Sequence, residues 1–117
     1  MSVVYAADCF WNREFEIPWC KIGKSWHSGK ERHKRGTIFC GYSSIDTQVK
    51  GGDTKLTAVE AVACLLAQKK YGSAPSGYTS RKDGKRYGYH GYTETFTCTK
   101  EQATELIQEA LRIVENL

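Results

Sequence analysis

The segment from Thr54 to Tyr71, TKLTAVEAVACLLAQKKY, constrains the fold of this chain more than any other. Its length gives about five helical turns, and Gly72 follows where a helix commonly stops. Between Ala58 and Ala67 its one polar residue is Glu60. A helix apolar on all sides is a buried one, so the rest of the chain is expected to pack around it. A lone carboxylate on such a helix is costly unless positive charge meets it. Two readings of Glu60 stand side by side. Thr57 and Glu60 have capping-box spacing, which would place Glu60 in the first turn. If Asp53 or Thr54 is the cap instead, Glu60 falls in the second turn and faces the edge of the core.

Positive charge is concentrated upstream, in Cys20 to Gly36, CKIGKSWHSGKERHKRG. The pattern predicts a strand that breaks at Gly23, where the backbone can turn sharply or approach a ligand closely. A short helix follows, with Ser28 and Glu31 at capping-box spacing and Gly36 as its stop. Lys21, Lys24, Lys30, Arg32, Lys34 and Arg35, with His27 and His33, face Glu31 alone. A strand end, a glycine and a basic helix start can cradle a phosphate. The alternative for any charge run is a solvated surface.

Around these two segments the remaining elements fall into place. Ser2 to Asp8 reads as a strand with Val3, Tyr5 and Ala7 on one face. Ile17 to Lys24 reads as its antiparallel partner, with Tyr5 opposite Lys21 and a connection centred near Arg13. Thr37 to Tyr42 is rich in β-branched and aromatic residues and predicts a third strand. Ser43 to Asp53 reads as loop. A long connection follows from Ser73 to Gly91, with a turn signal at Asp83-Gly84. Arg81, Lys82, Lys85 and Arg86 flank that turn, interleaved with Tyr78, Tyr87, Tyr89 and Tyr92. Cations among tyrosines can follow a backbone and stack on bases; the bland reading is a polar hairpin. Tyr92 to Cys98 alternates as a strand that puts Tyr92, Glu94, Phe96 and Cys98 on one face. Thr99 and Gln102 form a capping box for a last helix. Its apolar stripe runs through Ala103, Leu106, Ile107, Ala110, Leu111 and Val114.

These elements define a single α+β domain over residues 1–117, a small antiparallel sheet of three or four strands flanked by helices. A net charge of +4 permits nucleic-acid binding without requiring it. Five cysteines, Cys9, Cys20, Cys40, Cys64 and Cys98, include no C-x-x-C pair. A zinc site and a secreted disulfide framework are therefore disfavoured, and a reducing cytoplasm is expected. No apolar run reaches membrane-spanning length, and no signal-peptide pattern is present.

The order of these segments resembles the GIY-YIG nucleases. Val3-Val4-Tyr5 stands in the place of that family's first triplet and Lys21-Ile22-Gly23 in the place of its second. The K-I-G form followed by Lys24-Ser25 is similar to a subgroup found in phages and some restriction enzymes. Gly91-Tyr92-Thr93-Glu94-Thr95-Phe96 before a helix is similar to the ending of that subgroup. Val3 and Lys21 depart from the family's first glycine and second tyrosine. The asparagine many relatives carry after the metal-binding glutamate has no counterpart before Asn116, and Gly72 lies about where it would fall.

The resemblance implies metal-dependent hydrolysis of DNA phosphodiesters. On that implication Tyr5 is the general base, and Lys21, Lys24 and Arg32 neutralise charge on the phosphoryl oxygens. Glu60 holds Mg²⁺ or Mn²⁺, hard ions suited to one carboxylate plus waters and phosphate. Arg35, one turn beyond Arg32, competes for the arginine's role. Lys30, Lys34, Arg35, Arg81, Lys82, Lys85, Arg86, Tyr87 and Tyr89 are the expected DNA contacts. The implied setting is the cytoplasm of a bacterium or a phage-infected host. The implied partner is DNA, with a homo-oligomer if both strands are cut. The alternative is a nucleic-acid-binding or inhibitory module of the same fold without turnover.

Overall fold

The computed structural model describes residues 2–8, 19–28, 44–73, 77–79, 83–88 and 94–117. In chain order the elements are β1 (Val3–Asp8), β2 (Cys20–Ser25), β3 (Ser44–Gln48), α1 (Asp53–Lys70), β4 (Gly77–Thr79), β5 (Arg86–Gly88), β6 (Thr95–Phe96) and α2 (Lys100–Glu115). Four strands form one antiparallel sheet in the order β3-β1-β2-β6. Strands β4 and β5 form a separate hairpin. Among the described residues the fold is α+β, a four-stranded antiparallel sheet with two helices packed on it.

The helices cover one sheet face because alternate strand residues are apolar there. Val4 and Ala6 of β1 and Cys20 and Ile22 of β2 form a continuous core with Leu56, Val59, Ala63 and Ala67 of α1. Helix α2 adds Ala103, Leu106, Ile107 and Ala110, the stripe expected from its sequence. The buried alanines on both helices allow the two backbones to approach closely. The opposite sheet face is covered too, since Val3, Tyr5 and Ala7 are almost fully buried.

The termini of the helices follow local chemistry. Thr99 and Gln102 make the expected capping box, with Gln102 N–H donating to Thr99 Oγ1 at 3.1 Å and Thr99 N–H to Gln102 Oε1 at 3.0 Å. Lys100 pairs with Asp8 at 3.1 Å and so ties the start of α2 to the end of β1. At the end of α1, Gly72 takes a φ of 82°, which a glycine adopts without strain. Its N–H reaches back to the Ala67 and Gln68 carbonyls, and its own carbonyl accepts from Thr97 N–H at 3.1 Å. The exit of α1 is thereby stitched to β6.

Several expectations are corrected. Helix α1 is buried on one face, through Leu56, Val59, Ala63 and Ala67, and not all round. Its outer side carries apolar residues that remain in solvent, including Leu65 at 57% exposure. Gly52 is the N-cap and no side chain caps α1, so the Thr57–Glu60 box does not form and Glu60 lies two turns inside the helix. Strand β2 does not break at Gly23 but runs on to Ser25. The pairing of β1 with β2 is shifted by two residues from expectation, with Tyr5 opposite Gly23 and Ala7 opposite Lys21. That shift preserves the face, since strand residues alternate with a period of two.

Part of the segment read as loop, Ser44–Gln48, is the edge strand β3. Its composition is polar because it is half-exposed, so its pairing with β1 decides its conformation where propensity does not. Of the strand expected over Tyr92 to Cys98, Tyr92 and Thr93 lie outside the described residues, and among the rest the strand spans Thr95 and Phe96. The third strand expected at Thr37 to Tyr42, and the basic helix beyond Ser28, lie outside the described residues. The hairpin turn at Asp83-Gly84 does form. Asp83 Oδ1 accepts from Lys85 N–H at 2.9 Å, and Gly84 has a φ of 69°.

Candidate active site

Because β6 pairs only with Cys20 and Lys21, it stops short of the second half of β2. A cleft of about 560 Å³ opens beside that half, between the strand and the N-terminal turns of α1. Three separate elements bring Tyr5, Lys21, Lys24 and Glu60 to it.

Gly23 determines how Tyr5 sits. A Cβ added to Gly23 would lie 2.6 Å from Tyr5 Cζ, closer than real Cβ contacts come. The phenol of Tyr5 therefore lies across the bare backbone of the opposite residue. The sequence assigned Gly23 a sharp turn or the close approach of a ligand; it is instead the chain's own Tyr5 ring that lies over it, inside a continuous strand. Tyr5 is 1% exposed, so its ring is held by packing while it lines the cleft.

Lys21 occupies the same strand face and is nearly buried, with its Nζ 3.9 Å from Glu94 Oε2. Lys24, of opposite parity, reaches α1 and donates to Thr57 Oγ1 at 2.8 Å. Glu60 is the next helical residue on that side, one turn after Thr57. Its carboxylate accepts a hydrogen bond from the Lys24 backbone N–H on the edge of β2 that β6 leaves uncovered.

Burial pushes the Glu60 carboxyl above the usual carboxylate range, and the charge of Glu94 pushes the same way. Lys24, Lys21 and the backbone hydrogen bond oppose this without overcoming it. The same two carboxylates reach Cys64, one turn further along α1. Burial first, then the charges of Glu60 and Glu94, push its thiol up to about 12.

Glu94 is the residue that sequence reasoning missed. Strand alternation puts it with Phe96, yet Phe96 is in the core while Glu94 lines the cleft. Glu94 precedes β6 and is not part of the strand, so the period of two does not apply to it. Its charge amid alternating apolar residues was the available signal. Ser25, Trp26 and His27, which follow Lys24 into the cleft wall, were also not singled out as site residues.

Among the described residues no group of three or more His, Cys, Asp or Glu side chains could hold a metal ion. Glu60, with Glu94 in the same cleft, still fits a hard divalent ion of the Mg²⁺ type. Such an ion takes one or two carboxylates and fills its remaining positions with water and phosphate oxygens. Arg32, Lys30, Lys34, Arg35, Arg81, Lys82 and Tyr89 lie outside the described residues. Lys85 is exposed at the hairpin turn, and Arg86 and Tyr87 belong to β5. No protein-family model, curated protein or solved structure matches the chain. No helix among the described residues is long and apolar enough to cross a membrane.

Proposed function

We propose that this chain is a divalent-metal-dependent endodeoxyribonuclease with a GIY-YIG-type site, acting in a reducing cytoplasm. One observation carries the reading: Glu60 on α1 shares a single cleft with Tyr5, Lys21 and Lys24 on the first two strands. The shift in Glu60 adds support, because a carboxylate whose neighbours under-compensate its charge is suited to receive another cation. Cys20, Cys64 and Cys98 are free thiols, which suits a reducing compartment.

Glu60 would hold Mg²⁺ or Mn²⁺, with Glu94 in reach of the same cleft. The bound ion would supply Lewis-acid stabilisation of a phosphoryl oxygen. Lys21 and Lys24 offset negative charge on the other phosphate oxygens, and Arg32 is assigned to the same task through its planar fork. Tyr5, acting as the phenolate that a general base requires, would receive the proton of the attacking water, its ring immobilised over Gly23 so that the oxygen is already in place. The Lys24–Thr57 hydrogen bond and the Glu60–Lys24 backbone contact fix α1 against β2, and so fix the carboxylate against the lysines.

Incubation of the purified chain with supercoiled plasmid tests this reading directly. Nicked or linear product with Mg²⁺ or Mn²⁺, and none with EDTA, is the expected result. DNA binding that shifts with salt but never yields product would instead favour the non-catalytic module.

A further inference from the structure

The cleft has a feature that phosphate chemistry does not use. Trp26 follows β2 directly, lines the cleft, and leaves 58% of its surface in solvent. The other exposed large apolar residues among those described are Leu65, Ile113 and Leu117, and none of these lines the cleft. The position of Trp26 follows from the chain around it. His27 N–H donates to Ser25 Oγ at 3.2 Å, and this bends the backbone as the strand ends, leaving the indole at the mouth. Two residues earlier Lys24 enters the same cleft, and the buried Leu56 adds an apolar wall. A volume of about 560 Å³ lies within the range of sites that enclose small organic ligands, about 300–1,000 Å³.

We propose that Trp26 is a stacking platform for an unpaired nucleobase adjoining the phosphate bound at Lys21 and Lys24. The substrate class is then single-stranded DNA, or a duplex carrying an extrahelical base, rather than an uninterrupted duplex. The proposal rests on the phosphate site of the nuclease reading and adds the base beside it. Within a continuous duplex both faces of each base are occupied by its neighbours, so an indole at the cleft mouth finds none to cover. A base already out of the stack offers its face at the least cost in unstacking. Aromatic stacking of this kind tolerates any base, so the selectivity is for structure and not for sequence.

The test measures binding by fluorescence anisotropy without divalent metal, so that no cleavage intervenes. The probes are a single-stranded oligonucleotide, a blunt two-strand duplex, and the same duplex with one bulged base. Trp26→Ala should weaken binding to the single strand and the bulged duplex by roughly 5- to 100-fold. Its effect on the uninterrupted duplex should stay within about two-fold, since only phosphate contacts act there. Trp26→Phe keeps a π face and should retain most of the affinity, whereas Trp26→Leu keeps apolar bulk alone and should behave like Ala. Equal losses on all three probes, no loss on the single strand, or a Leu variant that binds like Phe would each overturn the proposal. Trp26-dependent binding in a protein that cuts nothing with Mg²⁺ or Mn²⁺ would end the nuclease reading and leave this one standing. Metal-dependent cutting with Trp26-independent binding would do the reverse.

Discussion

At the scale of single residues, Glu60 sets stability against function. Its carboxyl is raised in the folded chain by burial and by Glu94, so the folded state binds a proton more tightly than the unfolded state. Stability therefore falls as pH rises from the ordinary carboxylate value to the raised one, and stays low above it. Glu60→Gln removes that penalty. Without metal the variant should melt higher than the wild type at neutral pH, with the gap closing as pH falls from the raised value towards about 4 and absent below it. Cleavage should be lost while DNA affinity is kept, because the lysines remain. A thermal melt at two pH values and a plasmid assay check both halves. If Gln cuts at the wild-type rate, Glu60 is not the metal ligand.

Gly23 makes a second prediction at this scale. In Gly23→Ala the new methyl meets a fully buried tyrosine ring that cannot swing into solvent. Destabilisation by about 1–3 kcal/mol is expected, together with a lower cleavage rate as Tyr5 shifts. A denaturant titration with wild-type stability would show that the Tyr5 ring does not lie over Gly23. The sequence pointed to a turn or a ligand at this glycine, and not to a side chain of the chain itself. Identifying Tyr5 required the strand register, which was displaced by two positions in the sequence reading.

At the scale of elements, what could be read from sequence depended on how strongly each segment's own pattern dictates its conformation. Helix α2 has an apolar stripe and a complete capping box, so its start and buried face were both legible. Its cap should act on stability alone. Thr99→Ala is expected to cost about 1 kcal/mol and to leave cleavage unchanged, because α2 contributes nothing to the cleft. A chemical denaturation curve alongside the plasmid assay separates the two effects. Helix α1 was legible in extent but not in burial. Alanine is compatible with core and surface alike, so its alanines did not reveal which side faces the sheet. Strand β3 was illegible because Ser44, Asp46 and Gln48 are poor strand formers. Its conformation comes from the β1 edge, including a bond from Val49 N–H to the Ser2 carbonyl at 3.0 Å. Glu94 escaped for the related reason that β6 is two residues long.

At the scale of the whole molecule, the order β3-β1-β2-β6 places the cleft where one strand ends early, and no local pattern specifies that. The charge distribution, by contrast, is legible without any structure and carries the last prediction. Arg81, Lys82, Lys85 and Arg86 cluster about the Asp83-Gly84 turn, far in sequence from Tyr5, Lys21, Lys24 and Glu60, on a chain whose net charge is only +4. The turn itself is held by Asp83, whose carboxylate accepts from Lys85 N–H, leaving Lys85 exposed. If these cations follow the DNA backbone, each contact releases counterions and steepens the dependence of affinity on salt. Replacing all four with Ala should flatten the slope of log K against log salt on duplex DNA by roughly two to four units, at about 0.9 per phosphate contact. Turnover at saturating DNA should change little, because none of the four is assigned to the chemistry. Affinity measured from low to moderate salt checks the first expectation, and single-turnover cleavage checks the second. An unchanged slope would assign the hairpin to solvent and leave phosphate binding to Lys21, Lys24 and the basic stretch after β2.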